Sequence, residues 1–118
     1  MKSFCVVTLS LFSFISAELT HFERGLNFYD QRAEKSIGLK ADPSLIGRAI
    51  DEFLMAMKSP EKELDAGVFL LKCYYFKGKF VSQNDDEKKD IYSKGKVLGE
   101  KLINLYPESV SETNFPKK

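Results

Sequence analysis

Tryptophan is absent from this 118-residue chain, histidine occurs once and cysteine twice, and each shortage narrows the chemistry on offer. A histidine-based triad has only His21 to draw on, and zinc sites built from several His or Cys are nearly excluded. Charge of one sign is also missing. With 18 Lys and Arg against 17 Asp and Glu, there is no electrostatic footprint for nucleic acid. What is present is an ordinary globular balance, 43% hydrophobic and 30% charged, which argues against disorder, collagen and multi-span membrane proteins and suits one small domain.

The first segment concerns export. Residues 1–17 combine a basic start at Lys2, an apolar run over 4–15 and a small-residue end, Ser16-Ala17. That is the grammar of a signal peptide cleaved after Ala17, which places the mature domain, residues 18–118, in the periplasm or outside the cell. As a helix the run rises only about 18 Å against a hydrocarbon core of roughly 30 Å. The alternative is an uncleaved N-terminal anchor, and the polar onset from Glu18 to His21 counts against extending it. Cys5 leaves with the leader, so no intramolecular disulfide is expected. Cys73 then reads either as a reactive thiol or as a small buried residue in the apolar stretch 68–76.

After the leader, apolar positions recur at helical spacing and no segment sustains the alternation of a half-buried strand, so the domain is expected to be all-α. Leu19, Phe22, Leu26, Tyr29 and Ala33 step by three and four along a helix over about 18–33. A loop follows to Asp42, which is placed to cap a second helix over about 43–58 with Pro43 in its first turn. Ile46, Ala49, Ile50, Phe53 and Met57 form its apolar side. The third helix, from about Glu61 to Gly78, carries apolar residues around so much of its circumference that it should be the most buried element. The fourth runs from about Asp85 to Tyr106, capped by Asn84 or Asp85 and stopped by Pro107. Asp85, Asp86 and Glu87 read as favourable charges at its N-terminus or, alternatively, as a cation site.

Two helix pairs in series invite a comparison with repeat proteins. Leu70-Leu71, Tyr74-Tyr75, Gly78, Phe80 and the run Leu102-Ile103-Asn104-Leu105-Tyr106-Pro107 resemble the tetratricopeptide repeat. That unit has an aromatic pair late in its first helix, a turn glycine, and a proline after the second. About a dozen extra residues (VSQNDDEKKDIY) lengthen the front of the fourth helix. This extension, with CYYFKGKF and KGKVLGEKLINLYPES, is similar to the periplasmic T-component proteins associated with TRAP-type transporters. In the first pair Gly25, Phe28-Tyr29 and Gln31-Arg32 occupy the first-helix signature, and Ala49, Phe53, Ala56 and Pro60 the second. The resemblance implies a short right-handed α-solenoid of two repeat-like pairs. Residues 109–115 resemble the opening of an incomplete third unit, whose uncovered face could drive self-association. A generic four-helix bundle is the alternative.

No activated nucleophile, acid–base pair or metal set stands out, so no catalytic residue, metal ligand or cofactor is assigned. The lysines of the fourth helix, Lys88, Lys89, Lys94, Lys96 and Lys101, are interleaved with acids and read as a solvated face or as an anion site. In tetratricopeptide arrays the first helices of successive pairs line a concave groove. Carried over by position, this implies Phe22, Leu26 and Tyr29 from the first pair and Val68, Lys72, Tyr75 and Phe76 from the second. The same side chains could instead pack the helices together. The expected role is binding of a partner protein or small ligand, a solute-binding protein being one candidate, beside a solute transporter. A secreted structural or assembly module is the second reading, and an enzyme on a helical scaffold the third.

Overall fold

The computed structural model describes residues 19–111. The expected leader, residues 1–17, and residues 112–115 of the expected third unit therefore lie outside the described residues. The described chain is all-α: α1 (His21–Asp30), α2 (Pro43–Ala56), α3 (Glu63–Phe80), α4 (Asp85–Leu105) and the short α5 (Pro107–Ser111). Among these residues there is no strand, only one isolated bridge between Ile37 and Lys40.

The first helix is shorter at both ends than its apolar stripe predicts, and local polar groups are the reason. Thr20 accepts from the Glu23 N–H at 3.1 Å while the Glu23 carboxylate accepts from the Thr20 N–H at 2.9 Å. This capping box fixes the start at His21. At the other end the Arg32 guanidinium donates to the Tyr29 carbonyl at 2.8 Å and lies over the Tyr29 ring at 4.0 Å. A cation bonding a last-turn carbonyl is a common way to finish a helix. The loop beyond folds into a tight turn in which the Ile37 N–H donates to the Lys40 carbonyl at 2.8 Å and the Lys40 N–H returns a bond at 3.1 Å. Gly38, at φ 61°, supplies the left-handed residue that this turn requires.

The next two start signals behave as read. The Asp42 carboxylate accepts from the Ser44 N–H at 2.7 Å, and the Asn84 side chain accepts from the Glu87 N–H at 2.9 Å. Helix α3 differs from expectation, sitting two residues later at each end. Gly78 is consequently not a turn residue. It is buried inside α3, where a Cβ would stand 2.5 Å from the Tyr92 ring of α4. Pro107 ends α4 but also opens α5, as its fixed φ allows at a first helical turn.

The core gathers on α3, which buries Ala66, Gly67, Leu70, Cys73, Phe76 and Gly78. Phe53 of α2 is fully buried and stacks on Phe69 of α3 with ring centroids 5.5 Å apart. Phe22 and Tyr29 of α1 close on Phe69 edge-on at 6.0 and 5.7 Å. Such offset and edge-to-face pairs contribute about 0.5–1.5 kcal/mol each beyond the area they bury. Gly25 of α1 lies directly under the Phe53 ring, so the α1–α2 approach depends on the missing side chain. Extensive packing runs α1 on α2, α2 on α3 and α3 on α4, that is, between chain neighbours. None of the described helices is long and apolar enough to cross a membrane.

Candidate functional site

The predicted groove residues separate into three environments. Phe22, Leu26 and Tyr29 are half-buried and pack on the core, with Phe22 and Tyr29 meeting at Phe69. Lys72 is exposed, and its ammonium stands 4.6 Å from the Phe69 centroid, a cation held over an aromatic face. Phe22, Tyr29 and Lys72 thus meet around Phe69, on the face between α1 and α3. Phe76 is not on it: the ring is buried, packed on Phe80 at 4.9 Å and covered by Arg32 at 5.4 Å. Tyr75 points elsewhere, stacking on Tyr92 of α4 at 6.4 Å with 57% of its surface open to solvent. Val68 is half-buried on α3.

A second concavity was not foreseen. Helices α2 and α4 both lie against α3 without packing extensively on each other, and between them runs a cleft of about 560 Å³. Leu70 and Tyr74 of α3 lie at its base, Leu54 comes from α2 and Met57 from its C-terminal cap, and Val97 and Leu98 from α4. Lys58, Lys94, Lys101, Glu63, Asp90 and Ser93 add polar groups. A smaller cleft of about 380 Å³ towards the start of α4 shares Asp90 and Lys94 with it. The signal in the sequence was Leu54 beside Phe53, and Val97 beside Leu98. Each widens an apolar stripe beyond what a single packing partner requires.

The charged groups of the cleft are unevenly committed. The Glu63 carboxylate accepts from the Tyr106 hydroxyl at 2.7 Å, and that bond pushes the Tyr106 pKa up. Asp90 faces Lys94 at 3.9 Å. Lys58 and Lys101 form no ion pair with another described residue.

Groups capable of catalysis are placed otherwise. Burial pushes the Cys73 thiol up to about 12, and the residue is fully enclosed, which removes the thiolate that nucleophilic chemistry needs. His21 is partly exposed, with Nδ1 2.7 Å from a Glu52 carboxylate oxygen and 2.9 Å from an Arg24 guanidinium nitrogen. The hydrogen bond from His21, followed by that from Arg24, holds the Glu52 carboxyl below its ordinary value. A carboxylate on Nδ1 is how a general base is oriented. Here, however, no hydroxyl or thiol among the described residues hydrogen-bonds to the ring, and the trio ties α1 to α2. No group of three or more His, Cys, Asp or Glu suited to a metal occurs among the described residues. Asp85, Asp86 and Glu87 lie in the first turn of α4, where carboxylates favour the helix dipole.

No protein-family model, curated protein or solved structure matches this chain.

Proposed function

We propose that this is an exported, non-enzymatic helical-repeat protein that binds a partner protein or small ligand in the periplasm. In this reading it is a short right-handed α-solenoid of two tetratricopeptide-like pairs, α1–α2 and α3–α4, with α5 opening a third unit. In this reading it works beside a TRAP-type solute transporter, a link that rests on the resemblance of its motifs to T-component proteins.

The supporting observation is the way α3 leans on both members of the preceding pair. Phe69 stacks on Phe53 of α2 and takes the edges of Phe22 and Tyr29 from α1, while extensive packing otherwise follows chain order. A four-helix bundle closed on itself would also seat α1 against α4. Open stacking leaves one surface on the first helices of the pairs and another between the second helices, and both are present here. The placement of Cys73 in the core and of His21 in a trio linking α1 to α2 favours recognition over catalysis.

The test is position-specific photocrosslinking in the exporting cell. A photoreactive residue in place of Lys72, on the α1–α3 surface, is expected to give a discrete adduct that the same residue in place of Glu61 does not give. Equal labelling from both positions, or none from either, contradicts a recognition role for that surface.

A further inference from the structure

The cleft between α2 and α4 has a composition that selects a ligand class. Its walls include apolar side chains that folding has left in water: Leu54 is 46% exposed and Val97 64% exposed. Its floor is the fully buried Leu70. The volume of about 560 Å³ falls within the few hundred to a thousand Å³ usual for small-molecule sites. The polar side chains are not neutral in effect. Asp90 pairs with Lys94, and Glu63 keeps its charge while accepting from the Tyr106 hydroxyl, so Lys58 and Lys101, neither in an ion pair with a described residue, leave the lining with a net positive charge. An apolar trough whose lining carries a net positive charge complements a molecule with a hydrocarbon body and one anionic end.

We propose that this cleft binds an amphipathic monocarboxylate, its chain lying along Leu54, Met57, Val97 and Leu98 and its carboxylate meeting Lys58 and Lys101. This rests on the binding role proposed above and deepens it by naming the ligand as a small acid rather than a protein. Phosphate- or sulfate-headed chains share the chemistry, and the cleft's two single-point cations set no geometric preference for the carboxylate's plane. Lengthening the chain buries more methylene groups, each worth up to about fourfold in affinity.

The probe is decanoate below its micellar concentration, titrated against the folded chain by calorimetry and by amide chemical shifts. The expected result is saturable binding that shifts amides around Val97 and Leu98, is tighter than octanoate by up to about fifteenfold, and is weaker for decan-1-ol. Val97→Asp should weaken decanoate at least tenfold, and Lys101→Glu should weaken decanoate while sparing decan-1-ol. Both positions are exposed, so circular dichroism should show an unchanged fold. Decyl sulfate binding as tightly as decanoate would support a general anion site, whereas decan-1-ol binding as tightly would overturn the anionic assignment. Absence of saturable shifts at the cleft, or indifference to Val97→Asp, would overturn the proposal. Should crosslinking from Lys72 succeed while decanoate fails, only the ligand assignment falls. Failure of both removes the binding role itself.

Discussion

Gly25 and Gly78 stand where a neighbouring helix comes close and Gly47 stands in open space, so the three should respond differently to a single added methyl group. At Gly25 a Cβ would lie 2.6 Å from Cε1 of Phe53. That ring has no room to move: Phe53 is fully buried, stacked on Phe69 and met edge-on by Phe22 at 5.8 Å. At Gly78 the Cβ would meet the Tyr92 ring at 2.5 Å, but Tyr92 is exposed and can turn outward. At Gly47, inside α2, nothing lies within 4 Å. Alanine in a helix interior gains about 1 kcal/mol over glycine; overpacking a fixed core costs about 1–3 kcal/mol, and a 2.6 Å approach to an immobile ring puts Gly25 in the upper part of that range. Gly47→Ala is therefore expected to stabilise by about 1 kcal/mol and Gly25→Ala to destabilise by about 1–2 kcal/mol, with Gly78→Ala between them. Urea denaturation followed by helical circular dichroism measures all three, and the separation between Gly47→Ala and Gly25→Ala should be several degrees or more in Tm. A Gly25→Ala protein as stable as the parent would refute the close α1–α2 approach.

Other consequences follow from the same packing. Cys73, enclosed and raised to about 12, should resist a disulfide reagent at pH 8 in the folded protein and react at once in denaturant; rapid labelling of the native state would contradict its burial. Glu52 is held below its ordinary value, near 4.5, chiefly by His21. Its contribution is then complete above that value and is lost as pH falls through the lower folded-state pKa. Glu52→Gln should cost no more than about 1 kcal/mol at pH 6, because the pair is partly solvated, and the gap from the parent should close towards pH 3. A gap that widens on acidification would reverse the assignment. Tyr29→Ala, which strips a ring from Phe69 and Arg32, should lower stability clearly, whereas Tyr75→Ala at an exposed position should leave it nearly unchanged; equal losses would contradict the different environments of the two rings.

Much of the helical layout was legible in the sequence, because caps and prolines act locally. Asp42 with Pro43, and Asn84 before three acids, set the starts of α2 and α4 where the residues indicated. The errors came from signals that need a third dimension. Apolar spacing alone carried the first helix past Asp30, since it cannot see Arg32 bonding back to Tyr29. Gly78 reads as a turn residue until Tyr92 is seen lying on it. Phe76, assigned by resemblance to a groove, is an aromatic on a helix that is apolar nearly all round, and only the positions of Phe80 and Arg32 show that it is covered. The α2–α4 cleft was only hinted at, by Leu54 beside Phe53 and Val97 beside Leu98. Its walls are ordinary edge residues of two stripes, and a gap is a property of neither helix alone.

An open stack requires α3 to rest beside α1. Nuclear Overhauser contacts among selectively labelled aromatic residues test this directly. Cross-peaks from the Phe22 and Tyr29 rings to Phe69 are predicted, together with Tyr75 to Tyr92, and none is predicted from α1 to Tyr92 or Leu105 of α4. Strong α1–α4 contacts with loss of the Phe69 cross-peaks would show a closed bundle and contradict the account.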